Sequence, residues 1–113
     1  MPTRTTLLRA QAAYYVATGV WPLLSMASFE TVTGKKRDRW LVRTVGVLVT
    51  CIGVSIGAGT RDGDAPDSTV LLAVSTALGL ACVESVYVAR RTISPIYAAD
   101  ALLELLLAGA LLL

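Results

Sequence analysis

Histidine is absent from the 113 residues, and cysteine (two), phenylalanine (one) and charged side chains (16%) are scarce. Without imidazole the chain lacks the usual haem or zinc ligand and a general base that titrates near neutral pH, so no metal site and no cofactor is implied. Cys51 and Cys82 form no CxxC, and an apolar setting keeps such thiols protonated and inert; both are read as small packing residues. Gly57-Ala58-Gly59 lacks the strand and lysine of a phosphate loop, so no nucleotide site is expected. Serines and threonines are scattered with no base beside them to make a nucleophile. A net charge of +2, with its basic residues dispersed, argues against a nucleic-acid partner.

Hydrophobic residues make up 55% of the chain and its mean hydropathy is +0.66, outside the range of an ordinary soluble domain. Four apolar stretches of roughly 18 to 22 residues fill most of it, each about the length that crosses a hydrocarbon core of about 30 Å. The pattern predicts an all-α fold: a four-transmembrane-helix bundle, antiparallel and up-down-up-down, forming a single membrane domain over 1–113. Its helices are expected at about 10–29, 40–58, 69–89 and 95–113.

Punctuation between the stretches agrees. Trp21-Pro22 lies inside the first and predicts a bend, because proline frees the Thr18 carbonyl and clashes with the turn before it. Gly34 is a helix stop and Asp38 a candidate cap for the second helix. The turn formers of 61–67 separate the second helix from the third, which Asp67 or Ser68 starts and Arg90-Arg91 closes. Ser94-Pro95 supplies an N-cap with proline in the first turn of the fourth.

Lysine and arginine counts predict orientation. Lys35, Lys36, Arg37, Arg39, Arg43, Arg90 and Arg91 flank the 1–2 and 3–4 connections, against Arg4, Arg9 and Arg61 at the other ends. Seven against three places those two loops in the cytoplasm of a bacterial inner (cytoplasmic) membrane protein, multi-pass, with periplasmic termini. Tyr14 and Tyr15 fall toward the outer interface, and Trp40, Tyr87 and Tyr97 toward the inner one.

Small residues recur on two helices. Arg39, Arg43, Gly46, Thr50, Gly53 and Gly57 share one face of the second, with a GxxxG from Gly53 to Gly57, and Ala73, Ala77, Ala81 and Glu84 share one face of the third. The first helix adds Gln11, Thr18 and Ser25 at heptad spacing. Such faces let backbones approach closely in lipid, so they are read as helix-packing surfaces within the bundle, with a homodimer as the alternative.

Ionisable residues within the spans form the candidate site. Glu84 and Asp100 each lie about 9 Å from the inner helix ends, Glu104 about 15 Å in and Arg43 about 5 Å in. Asp100 and Glu104 are four apart and share a face. A charge at the bilayer centre costs about 3 kcal/mol or more, so these groups are expected to turn inward and pair. Three acids then meet one nearby arginine. Two readings stay open: an Arg43–Glu84–Asp100 network that ties helices together, and a proton relay, ion site or polar ligand pocket.

Gly19 to Leu24, Ser28 to Gly34, Asp38 to Gly46, Ile93 to Tyr97 and Asp100 to Leu105 together resemble a group of small bacterial four-helix integral membrane proteins. The resemblance covers about half the chain and implies the fold, but no activity, ligand or site.

The functional expectation is a non-enzymatic membrane protein, an accessory or assembly subunit that packs against membrane lipids and other transmembrane subunits, or against its own copies. The alternative is a small proton-coupled carrier or ligand-binding membrane protein that uses Glu84, Asp100 and Glu104. A membrane enzyme would need an acid pair acting on a lipid-soluble substrate.

Overall fold

Ser25 divides the start of the fold. The computed structural model describes residues 3–113, and its first apolar stretch is two helices, α1 (Arg4–Leu24) and α2 (Met26–Thr33), where one bent span over 10–29 was expected. The helix runs through the proline and breaks three residues later at Ser25, whose φ of −150° and ψ of 88° leave the helical region. Ser25 then serves both helices: its backbone N–H donates to the Trp21 carbonyl at 2.9 Å, and its side chain accepts the Ser28 N–H at 3.3 Å. Trp21 closes the corner by donating to the Ser28 hydroxyl at 2.9 Å and meeting the Phe29 ring edge-on at 5.2 Å between centroids.

The chain continues as α3 (Arg39–Gly59), α4 (Asp67–Ala89) and α5 (Ile96–Leu112), with no strand among the described residues. Gly34 ends α2 at a φ of 95°, a conformation that glycine adopts without a Cβ clash, and its N–H donates to the Glu30 carbonyl at 2.8 Å. Asp38 precedes α3 but caps it through its backbone carbonyl alone, which accepts from Leu41 at 3.1 Å. Pro66 holds the N-cap position of α4, ahead of Asp67 and Ser68. Ser94 receives the Ile96 N–H at 3.4 Å on its side chain at the start of α5.

Two helices, α3 and α4, are long and apolar enough to cross a membrane, at about 31 and 34 Å by the helical rise. The other two expected spans differ for separate reasons. α1 carries Arg4, Arg9 and Gln11 in its first half, and α5 has 17 residues, or about 26 Å.

The helices associate chiefly as two pairs, α1 with α3 and α4 with α5. The first pair meets backbone to backbone. A Cβ on Gly19 would stand 2.5 Å from the Thr50 hydroxyl and 2.7 Å from the Gly46 carbonyl, and one on Gly46 would stand 2.6 Å from the Gly19 carbonyl. Gly53 lies against the Ala12 carbonyl, where a Cβ would come within 3.0 Å, while Gly57 has room, with Ala12 at 3.6 Å. The α3 stripe is therefore spent inside the chain. Ala73, Ala77 and Ala81 are likewise buried.

The two pairs close on each other at one end only. There Leu8, Ala12 and Tyr15 of α1, Ile56 of α3, Ala73, Val74 and Ala77 of α4, and Ala108 and Leu111 of α5 form a continuous core. Polar contacts seal the same end: Arg9 donates to the Thr60 carbonyl at 2.9 Å, and Thr5 donates to the Gly63 carbonyl at 3.2 Å. At the opposite end α2 and the α2–α3 loop lie near the start of α5, with the Lys36 ammonium 4.8 Å from the Tyr97 ring centroid. Between these ends the pairs stand apart.

Candidate functional site

The gap between the pairs is an open cleft of about 630 Å³, a size that suits a small-molecule site. Its walls are apolar, with Val45 and Val49 of α3, Leu80 and Val83 of α4, and Leu103 of α5. Its floor, where it meets the closed core, is polar and holds Tyr14, Tyr15, Glu84, Asp100 and Glu104.

The floor is built by one face of α1 opposing α4 and α5. Gln11, Tyr14, Tyr15 and Thr18 recur at intervals of three and four, so they stack on a single side of the helix. The Tyr15 hydroxyl donates to Glu104 Oε2 at 2.7 Å and accepts from Gln11 Nε2 at 3.0 Å. Gln11 Nε2 also donates to the Ala73 carbonyl at 3.0 Å, which ties α1 to α4. One turn farther along, the Tyr14 hydroxyl donates to Asp100 Oδ1. Glu84 faces the Asp100 carboxyl across the α4–α5 interface.

These groups are enclosed. Gln11 and Glu104 are wholly buried and Glu84 is 7% exposed. Gln11 Oε1, Glu84 Oε1 and Glu104 Oε1 are buried without a hydrogen-bond partner. Glu84 receives no hydrogen bond from any described donor, and no lysine or arginine among the described residues pairs with the three acids. An unsatisfied buried acceptor costs about 1–3 kcal/mol, and more when charged, so a site that leaves three of them bare lacks donors or cations.

Glu84, Asp100 and Glu104 thus come together, while Arg43 does not join them. Arg43 is exposed and makes no ion pair or hydrogen bond among the described residues, so the expected Arg43–Glu84–Asp100 network is not formed. The reason lies in the helix pairing: α3 packs on α1, and the cleft separates α3 from the acids of α4 and α5. Tyr15, expected in an interfacial belt, is 1% exposed in the core. Tyr14 and Tyr15 are the partners of Asp100 and Glu104, with Gln11 donating to Tyr15 behind them, and the three-and-four spacing of these residues on α1 is the signal that could have identified them. Cys51 and Cys82 are free and exposed, where buried packing positions were expected.

The mouth of the cleft has its own polar frame. Glu30 receives the Lys36 backbone N–H at 2.7 Å and pairs with Arg39 at 2.7 Å, and these contacts hold its carboxyl below the usual carboxylate range. Lys36, fixed by that turn, donates its ammonium to the Thr33 carbonyl at 2.9 Å and sits over the Phe29 and Tyr97 rings at 5.8 and 4.8 Å.

No protein-family model matches the chain, and no curated protein or solved structure is significantly similar to it.

Proposed function

We propose that this protein is a four-span integral membrane protein of the bacterial cytoplasmic membrane whose cleft takes a lipid-soluble ligand. The observation that carries this reading is the cleft of about 630 Å³ with apolar walls and a carboxyl floor whose buried oxygens lack partners. A membrane setting is supported by the length and apolar character of α3 and α4. It also explains why Val54, Leu71, Leu102 and Leu106 are more than half exposed on three helices. The seven-to-three basic asymmetry supports a cytoplasmic position for the α2–α3 and α4–α5 loops.

Within this reading Glu84, Asp100 and Glu104 bind the polar part of the ligand or exchange protons with it, as a proton-coupled carrier requires. The accessory-subunit reading draws less support, because the glycine and alanine faces that would dock a partner helix are occupied within the chain.

Purification in mild detergent, followed by reconstitution, tests the proposal. A lipid-soluble compound bound near one per chain, released by organic extraction and lost when Val83→Phe and Leu103→Phe together fill the cleft, is the expected result. Stoichiometric transmembrane partners with an empty cleft would instead make the protein an accessory subunit.

A further inference from the structure

We infer that the polar part of the ligand is a cation, and that the cleft takes amphiphiles carrying an ammonium group on an apolar chain. This rests on the reading of the cleft as a ligand site. Glu84, Asp100 and Glu104 all border the cleft, and tyrosine hydroxyls donate to Asp100 and Glu104 alone. Carboxyls gathered in this way need a counter-charge or protons to balance them. Facing them are Tyr14 and Tyr15 from α1 and no charged side chain of the α3 wall; the nearest cation lining the cleft, Lys36, is at the mouth and engaged elsewhere.

Two of the carboxylate oxygens point to what is missing. Glu84 Oε1 and Glu104 Oε1 lack any partner and belong to residues more than nine-tenths buried, and both residues border the cleft. A neutral hydroxyl ligand would satisfy one or two acceptors. An ammonium brings three donors together with the charge that the floor lacks, and charge-assisted bonds are roughly twice as strong as neutral ones. The mouth is chemically suited to the same group, because Phe29 and Tyr97 already hold the alkylammonium of Lys36 against their faces.

Charge balance then dictates the exchange. An ammonium that enters beside a protonated carboxyl takes the place of its proton, and that proton leaves to solvent. No bond other than the O–H is broken, and no electron moves.

The test uses the full chain in detergent with Trp40→Phe, so that Trp21 of the cleft wall is the remaining tryptophan and is excited selectively. Three bromine-tipped dodecyl amphiphiles, an amine, an alcohol and a carboxylate, serve as quenchers. The expected result is saturable quenching by the amine at a concentration about tenfold or more below the alcohol and the carboxylate. Glu84→Gln and Glu104→Gln should each reduce the preference for the amine; if either variant fails to fold, the three-compound series on the unaltered floor decides. Equal binding of all three, or preference for the carboxylate, overturns the cation assignment and leaves the ligand cleft in place. Absence of saturable quenching by any of them overturns both.

Discussion

Tyr15 links two buried groups from different helices: its hydroxyl donates to Glu104 Oε2 at 2.7 Å while it accepts from Gln11 Nε2 at 3.0 Å. Removing the hydroxyl strips Glu104 of its one donor and leaves Gln11 with the Ala73 carbonyl alone. Tyr15→Phe is expected to cost about 1–3 kcal/mol, the range for a buried acceptor left bare. Tyr87→Phe, at an exposed ring with no hydrogen bond among the described residues, should cost nothing measurable. Unfolding in mild detergent compares the two, and equal stabilities would show that the Tyr15 bond contributes nothing.

Glycine substitutions should rank by the space beside each. Gly19→Ala and Gly46→Ala press a methyl against the facing backbone at 2.7 and 2.6 Å, so the α1–α3 pair must separate. Overpacking of this kind costs about 1–3 kcal/mol. Gly79→Ala meets nothing within 4 Å and should stabilise α4 by up to about 1 kcal/mol through helix propensity. Detergent unfolding of the three variants checks the order, and a Gly46→Ala protein as stable as Gly79→Ala would contradict the close approach.

Much of this architecture is legible in the residue pattern, for physical reasons that also mark where legibility stops. Apolar period and glycine punctuation locate α3, α4 and α5, because helix length and turn chemistry are local properties. The break at Ser25 is not, since proline frees the carbonyl of Thr18, before it, whereas the helix runs on through Leu24 and yields at Ser25. Spacing puts Asp100 and Glu104 on one face and Glu84 on the small-residue face of its own helix, and all three border the cleft. Partner choice depends on which helices pair. Pairing α1 with α3 exposes Arg43 and sets Tyr14 and Tyr15 against the acids, a long-range outcome that no helical period encodes.

Arginine 43 offers a direct check on that pairing. Because it is exposed and unpaired among the described residues, Arg43→Gln should shift stability by no more than about 0.5 kcal/mol. Binding at the cleft floor should be unchanged. Loss of stability as large as that of Tyr15→Phe, measured under the same detergent conditions, would return Arg43 to the acid cluster.

Glu30 gives the mouth of the cleft an acid limit whose sign follows from its contacts. The Lys36 backbone N–H first, and the Arg39 side chain second, lower its pKa from the ordinary carboxylate value of 4.5. A group whose folded pKa is depressed contributes stability that is present above the unfolded value and is lost as pH falls through the folded one. The turn over 34–38 should therefore stay closed from neutral pH down to about 4.5 and loosen below it as Glu30 takes up a proton. Hydrogen exchange at the Lys36 amide, corrected for its intrinsic rate, measures this directly: protection is expected to fall in the acid range. Glu30→Gln keeps an acceptor for the Lys36 amide but removes the charge that Arg39 pairs with, so its protection should be lower at neutral pH and independent of pH below it. An unaltered acid profile in that variant would assign the loosening to another group.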